Sequence, residues 1–84
     1  MYLEIIKKYI NKLQKEDIVE FAKKKNLLLD QNELNIIYTT IKNRYKDILD
    51  DGIKVINEYK NKLKINTYNK LIEVYNDAKK YYKL

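Results

Sequence analysis

The chain contains no cysteine, histidine, serine, tryptophan or proline, and Gly52 is its only glycine. Without cysteine neither a disulfide nor a thiolate metal site can form, so apolar packing has to stabilise the fold by itself. Without serine, cysteine and histidine the usual nucleophiles, the imidazole base and the common zinc ligands are excluded. Catalysis would have to rest on Asp, Glu, Lys, Tyr or Thr. We therefore predict a protein that is not an enzyme and that uses no cofactor or metal.

Long apolar runs are also absent. A transmembrane helix needs roughly 18 or more consecutive apolar residues, and no stretch of this chain approaches that length. The first residues, Met1 to Glu4, lack the basic-then-apolar order of a secretory signal peptide. We therefore predict a cytoplasmic protein without a membrane partner. At 84 residues the chain has the length of one small domain, and we predict a single helical domain over 1–84.

Lysine, isoleucine, asparagine and tyrosine are the residues present in excess. Lysine and arginine number 18 against 12 aspartates and glutamates, which gives a formal net charge of +6. Such a charge favours binding to anionic partners. The codons of these four residues are rich in A and T, however, so the base composition of the genome explains the same excess. The sequence leaves both explanations open.

The stretch between Asp30 and Gly52 predicts the longest helix. Its apolar residues recur at alternating spacings of four and three, which is typical of an amphipathic helix over about 31–50. Asp30 and Glu33 have the spacing of a capping box, and the single glycine predicts the helix end. A helix of this length can be the central element against which shorter helices pack. Its apolar stripe consists of Leu34, Tyr38, Ile41, Tyr45 and Ile48.

Two shorter helices are predicted before this central one, over 2–13 and 15–25. The apolar period changes phase near Gln14, which indicates a break or a sharp bend between them. Asn26 is typical of the left-handed residue that terminates a helix. The residues predicted to be buried on the second helix are Ile18, Phe21 and Ala22.

Two further helices are predicted after the central one. Asp50 or Asp51 would cap a helix over about 53–63, and Asn66 or Thr67 would cap a last helix that reaches the C-terminal residues. No segment alternates with a period of two for long enough to predict a strand. The sequence therefore predicts an all-α fold, a compact bundle of four to five helices around the long central helix.

Asp47, Asp50 and Asp51 form the only concentrated group of acidic residues. Carboxylate oxygens are suitable ligands for Mg²⁺ or Ca²⁺. The group lacks the spacing of an EF-hand loop, and helix capping accounts for the same residues. We therefore predict no metal site here.

Residues 15–50 also have the layout of a helix-turn-helix, in which the outer face of the second helix would read DNA. The segment from 30 to 52 carries more acidic than basic residues, which disfavours its approach to phosphates. A helical hairpin that builds the core is therefore the favoured interpretation. The residues suited by type to reading DNA are Gln31, Asn32, Asn35, Lys42, Asn43 and Arg44.

The C-terminal third alternates lysine with tyrosine, as proteins that bind single-stranded nucleic acids do. Lysine is a point charge without the bidentate geometry of arginine, and the chain has only Arg44 of that type. RNA or DNA binding is therefore the second hypothesis for function. The residues that would form the nucleic-acid surface are Lys60, Lys62, Lys64, Lys70, Lys79, Lys80 and Lys83.

The nine tyrosines fall into two groups. Six lie on the apolar stripes and are predicted to be core residues with hydroxyls at the rim. The other three would anchor a protein partner if they cluster, because tyrosine is enriched at binding hot spots. The first hypothesis for function is accordingly a small protein–protein interaction or accessory module, with self-association as one form of it. The stripe tyrosines are Tyr38, Tyr45, Tyr59, Tyr68, Tyr75 and Tyr82, and the candidate anchors are Tyr2, Tyr9 and Tyr81.

Three stretches carry a resemblance to a known family. They are KEDIVEFAKK at 15–24, the connector from Asn26 to Leu34 with its helix cap, and KLKINTYNKLIEVY at 62–75. Together they resemble the short Bacillus- and Clostridium-type proteins of the Firmicutes that make up a domain family of unknown function. The resemblance implies a cytoplasmic bacterial protein. Since the family has no assigned activity or functional residues, the resemblance implies none for this chain.

Overall fold

Four α-helices and one short 3₁₀-helix make up the fold. The computed structural model describes the backbone of residues 2–82 and the side chains of residues 3–80. No strand occurs in this part of the chain, which confirms the prediction of an all-α fold with four to five helices. The elements are α1 (Tyr2–Lys12), α2 (Lys15–Lys24), α3 (Gln31–Glu58), the 3₁₀-helix (Lys60–Lys62) and α4 (Ile65–Tyr82).

The chain divides into two compact units, Met1–Tyr45 and Lys46–Leu84. Unit 1 contains α1, α2 and the N-terminal part of α3, and unit 2 contains the rest of α3, the 3₁₀-helix and α4. The long helix α3 thus contributes to both units. The single domain over 1–84 stays a prediction, because two units that share a helix can unfold together or separately.

Local side-chain and backbone hydrogen bonds mark the two ends of α2. The amide of Gln14 donates to the Asp17 carboxylate at 2.9 Å, which secures the first turn after the predicted break. Asn26 has a φ of 60°, in the left-handed region. The amide of Leu27 then donates to the carbonyl of Ala22 at 2.8 Å. That bond is typical of a Schellman motif, and Asn26 is confirmed as the terminating residue.

A capping box starts α3, as the sequence predicts. The amide of Glu33 donates to Asp30 Oδ1 at 2.8 Å, and the amide of Asp30 donates to Glu33 Oε1 at 3.4 Å. Glu33 is only 2% exposed. Because a buried carboxylate is costly unless it is hydrogen-bonded, this reciprocal pair both starts the helix and satisfies the glutamate.

The predicted end of the central helix at Gly52 is wrong. α3 continues to Glu58 and has 28 residues. Gly52 has no positive φ and is buried. A Cβ built on it would lie 2.1 Å from Tyr75 Cε1, so the missing side chain makes room for the tyrosine ring. Gly52 is therefore a packing residue, and the separate helix predicted over 53–63 is in fact largely the C-terminal part of α3.

The predicted capping role of Asp50 or Asp51 is wrong for the same reason, since no helix begins there. Asp51 Oδ1 nevertheless accepts a hydrogen bond from the amide of Lys54 at 3.2 Å. An N-cap residue makes this bond to the third residue of its helix. Here the bond forms inside a continuous helix. The capping hydrogen bond is therefore present although no helix begins at Asp51.

The start of α4 also differs from the prediction. The helix begins at Ile65, and the amide of Tyr68 donates to the carbonyl of Lys64 at 2.9 Å. The predicted N-caps, Asn66 and Thr67, therefore lie inside the first turn. The Thr67 side chain is 0% exposed, and its Oγ1 has no hydrogen-bond partner in the described part of the chain.

Replacing Thr67 with valine is expected to stabilise the protein. The two side chains have nearly the same shape, and the substitution removes a buried hydroxyl whose desolvation costs about 1 kcal/mol or more when it makes no hydrogen bond. For a chain of this size, the melting temperature should rise by roughly 5 °C. Thermal unfolding followed by circular dichroism measures this change.

Thr39→Val is the matched control. Thr39 is exposed, and its hydroxyl donates to the carbonyl of Asn35 at 2.8 Å. Its replacement should therefore change the melting temperature little. A fall in the melting temperature of Thr67→Val, or an equal rise in both variants, would contradict the assignment of Thr67 as an unsatisfied buried hydroxyl.

The core of unit 1 contains Ile18 and Ala22 from α2 and Leu34 from α3, all less than 10% exposed. The prediction that Phe21 is buried with them is wrong, since its side chain is 49% exposed. At about 100° per residue, Phe21 lies roughly 60° from Ile18 on the side opposite Ala22. It therefore falls at the edge of the buried face.

Unit 2 is a helical hairpin. The amide of Gly52 donates to the Tyr75 hydroxyl at 3.2 Å, and the Tyr68 hydroxyl donates to Asn57 Oδ1. The later residue of α3, Asn57, contacts the earlier residue of α4, Tyr68. The two helices therefore run antiparallel. Between these contacts along α3 lies Val55, which is 3% exposed.

Candidate interaction surfaces

A lysine holds the C-terminal end of α1 against α3 within unit 1. Lys42 Nζ donates to the carbonyl oxygens of Ile10 at 2.5 Å and Asn11 at 3.1 Å. Carbonyls in the last turn of a helix have no amide partner within that helix. A cation at this end also interacts favourably with the helix dipole. Lys42 therefore supplies a partner for the Asn11 carbonyl and a second partner for the Ile10 carbonyl, which also accepts from the amide of Leu13 at 3.2 Å.

Tyr38 lies beside Lys42 and a second lysine. The Nζ atoms of Lys42 and Lys15 lie 5.5 Å and 5.6 Å from the centroid of the Tyr38 ring, within the range of cation–π attraction. Lys15 Nζ also donates to Asn35 Oδ1 at 2.7 Å. These contacts tie the junction of α1 and α2 to α3 within unit 1.

The same contacts bear on the helix-turn-helix interpretation. Lys42 and Asn35 have the right side-chain type to read DNA, but within unit 1 they hydrogen-bond to α1 and to Lys15 of α2. A recognition helix presents such side chains on its outer face, available to the bases. The observed contacts favour the helical hairpin that builds the core. Of the remaining candidates, Gln31, Asn32 and Asn43 are exposed and Arg44 is half-buried.

Among the side chains that the structure describes, unit 1 carries most of the exposed large apolar ones. Of six such side chains in the described part of the chain, five belong to unit 1 and one, Ile65, belongs to unit 2. On α1, Ile5 and Tyr9 are one helical turn apart and share a face. The five are Leu3 (49% exposed), Ile5 (57%), Tyr9 (74%), Phe21 (49%) and Leu28 (78%).

Of the three predicted partner anchors, only Tyr9 has a side chain among the described residues, and it is strongly exposed. The side chains of Tyr2 and Tyr81 lie outside the described residues, so their clustering with Tyr9 stays a prediction. Sequence reasoning missed Ile5 and Leu28 as exposed apolar residues. For Ile5 a signal was present, because it lies off the apolar stripe of α1 that contains Ile6 and Ile10 and four residues before Tyr9.

The stripe tyrosines occupy half-buried positions rather than the centre of the core. The prediction that they are core residues is therefore wrong for those that the structure describes, since none of them is fully buried. Among them, the hydroxyl of Tyr75 contacts the Gly52 amide. The Tyr82 side chain lies outside the described residues. The half-buried stripe tyrosines are Tyr38, Tyr45, Tyr59, Tyr68 and Tyr75.

Among the described residues, the lysines predicted to form a nucleic-acid surface fall into separate groups along unit 2. Three of them are exposed in the turn between α3 and α4. Lys79 and Lys80 are exposed near the other end of α4, about 22 Å from Lys64 along the helix at 1.5 Å per residue. Lys83 lies outside the described residues. The turn lysines are Lys60, Lys62 and Lys64.

Lys70 is separated from both groups. It is half-buried, and its Nζ lies 3.0 Å from the Glu73 carboxylate. Lys79 follows it by about two and a half helical turns, which places the two lysines on opposite sides of α4. In the turn, Lys60 Nζ lies 5.2 Å from the centroid of the Tyr68 ring. Helix geometry therefore separates Lys70 from Lys79, whereas the turn lysines stay together as one basic group.

Two further features concern metal and membrane. Within residues 2–82, no group of three or more His, Cys, Asp or Glu side chains is arranged to hold a metal ion. Of the acidic residues Asp47, Asp50 and Asp51, Asp51 accepts a hydrogen bond from the Lys54 amide. None of the described helices combines the length and the apolar content that crossing a bilayer requires.

Comparisons of the chain with protein-family models, with curated proteins and with solved structures found no match.

Proposed function

We propose that the chain is a non-enzymatic protein–protein interaction module of the bacterial cytoplasm. The observation that carries the proposal is the concentration of exposed large apolar side chains in unit 1, which holds five of the six in the described part. Single exposed apolar residues are ordinary, but exposed apolar residues that adjoin one another, as Ile5 and Tyr9 do on α1, are typical of an interaction surface. The bacterial and cytoplasmic parts of the proposal rest on the sequence resemblance and on composition.

The face of α1 that carries Ile5 and Tyr9 is the best candidate for contact with a partner. Tyrosine gives a large contact area while losing only two side-chain rotations on binding. Lys42 holds the end of this helix through two backbone carbonyls, so the face is presented on an element that is already ordered. Binding to an ordered element loses less entropy than binding to one that must first fold.

Site-specific photo-crosslinking tests this proposal. A benzophenone amino acid placed at position 9 of the full chain, in the cells that naturally produce it, should give a discrete protein adduct on irradiation. Tyr9 is 74% exposed, so the substitution should leave the melting temperature nearly unchanged. An adduct with the mass of two chains would indicate self-association, and a heavier or lighter one would indicate a different protein.

The matched control places the same amino acid at position 80, which is exposed on α4 in unit 2. The proposal requires adducts from position 9 that are absent from position 80. Equal and diffuse labelling at both positions, together with a strictly monomeric mass by light scattering, would contradict it.

The second candidate is an RNA- or DNA-binding protein, and the turn lysines favour it. Lys60, Lys62 and Lys64 are exposed in one turn, and no acidic residue occurs between Glu58 and Glu73. If these lysines contact phosphates, affinity for a fluorescent single-stranded oligonucleotide should fall steeply between about 50 and 200 mM salt. Replacing all three with glutamine should flatten that dependence. Absence of binding at the lower salt concentration would exclude this candidate.

A further inference from the structure

The charged residues nearest to the exposed face of α1 are all positive. Taking Ile5 as the origin and about 100° per residue, Tyr9 lies at about 40° on one side, while Lys12 and Lys8 lie at about 20° and 60° on the other. The nearest carboxylate on the helix, Glu4, is farther away, at about 100°. The Ile5–Tyr9 face is therefore an apolar strip with two lysines along one edge.

The same combination occurs on α2. The Phe21 side chain is 49% exposed, and the Lys25 ammonium lies 5.6 Å from the centroid of its ring. Lys23, Lys24 and Lys25 are consecutive and exposed. Both of the exposed aromatic side chains described in unit 1 are thus accompanied by lysines.

We propose that the Ile5–Tyr9 face binds an amphipathic helix of a partner protein whose apolar side chains are bordered by aspartate and glutamate. The inference rests on the proposed function and names the partner's chemistry. Apolar contact supplies the affinity of such helix pairs, while charges along the border select the partner and its orientation. Lys8 and Lys12 are placed to make those border contacts.

A second copy of the chain fits this face less well. In an antiparallel two-fold pair, the symmetry axis places the Lys8–Lys12 edges of both copies on the same side of the interface. Like charges then adjoin, which is unfavourable. In a parallel pair, the two α1 dipoles point the same way, which is also unfavourable. An acidic partner helix removes both difficulties.

A membrane surface also fits less well. A helix that lies in the lipid interface inserts its whole apolar face. In α1 the main apolar stripe includes Ile6 and Ile10, which are half-buried within the folded chain. Leu3 is also exposed, but at about 100° per residue it lies roughly 160° from Ile5. The exposed apolar side chains described on α1 therefore do not form one broad face for contact with lipid.

Two designed peptides test the inference with the full-length chain. Each is a helix of about 20 residues with leucine at alternating spacings of three and four. One carries glutamate along both borders of the leucine stripe and the other carries lysine. Fluorescence anisotropy should show that the glutamate peptide binds at least tenfold more tightly than the lysine peptide. Tyr9→Ser should weaken binding of the glutamate peptide by roughly 30-fold, as expected for loss of a central aromatic anchor.

Charge reversal separates this face from general attraction to acidic peptides. Lys8→Glu combined with Lys12→Glu should lower the affinity for the glutamate peptide at least tenfold. It should raise the affinity for the lysine peptide by a similar factor. The control variant, Lys79→Glu with Lys80→Glu, changes the net charge equally but alters α4. It should change neither affinity by more than about twofold, because neither substituted lysine belongs to α1.

Several outcomes would overturn the inference. They are equal binding of both peptides, no binding of the glutamate peptide at about 100 µM, an equal effect of the α4 control, or binding to anionic lipid vesicles in place of peptide. If position 9 still crosslinks to a protein in cells under any of these outcomes, the proposed function stands and only the acidic partner is wrong. If position 9 gives no adduct either, both fail.

Discussion

Gly52→Ala is expected to lower the melting temperature by about 10 °C or more. Alanine is the better helix former by about 1 kcal/mol, so helix propensity alone predicts stabilisation. Packing predicts the opposite, because the new methyl group would lie 2.1, 2.5 and 2.6 Å from three Tyr75 ring atoms. The ring has to move and its hydroxyl loses the Gly52 amide at 3.2 Å. Overpacking of this kind costs about 1–3 kcal/mol, and losing the hydrogen bond adds to that cost.

Two further variants identify the cause. Asn43→Ala tests helix propensity alone, since Asn43 is an exposed residue of the same helix, and its melting temperature should rise slightly. Combining Gly52→Ala with Tyr75→Leu should cost much less than the sum of the two single substitutions, because the smaller side chain leaves room for the methyl group. If Gly52→Ala were as stable as Asn43→Ala, the inference that the Tyr75 ring packs directly against Gly52 would be wrong.

Lys42→Met is expected to destabilise the protein by about 1–2 kcal/mol. Methionine keeps most of the apolar stem but removes the donor to the carbonyl oxygens of Ile10 and Asn11. A hydrogen bond from a charged group contributes about 1.5–3 kcal/mol when buried, and the half-buried position of Lys42 reduces that contribution through solvent screening. Hydrogen exchange should show faster opening of α1 than of α4, because the lost contacts involve α1.

Lys46→Met is the matched control for this experiment. Lys46 lies one helical turn further along α3 and is exposed. Its replacement removes the same charge and leaves the bonds from Lys42 to Ile10 and Asn11 in place. Its effect on the free energy of unfolding should stay within about 0.5 kcal/mol. Equal destabilisation by the two variants would mean that net charge, and not the cap on α1, is responsible.

Signals that act over a few residues correctly predicted the end of α2 and the start of α3. The capping box of Asp30 and Glu33 joins residues three apart, and Asn26 terminates α2 through bonds to the helix just before it. Asparagine tolerates the left-handed conformation wherever it occurs. Such interactions form in nearly the same way in any tertiary context, which is why a sequence pattern can reveal them.

The errors at Phe21 and Gly52 arose because the role of each residue depends on a distant neighbour. Phe21 falls on an apolar pattern, but the width of the face that α2 buries depends on what packs against it. For Gly52, the choice between ending a helix and receiving a ring depends on Tyr75, 23 residues away. For Lys42, which by type suits a recognition helix, the orientation depends on carbonyls 31 and 32 residues away.

The sequence by itself determined that this chain is helical, where its first three helices begin, and which catalytic chemistries its side chains cannot perform. These properties depend on residue type and on spacing within one or two helical turns. The tertiary structure decided that α3 continues through Gly52, that Lys42 caps α1, and that Ile5 and Tyr9 remain exposed. The physical reason is that burial and hydrogen bonding between helices depend on which faces meet, and spacing within one helix carries no information about the face of another.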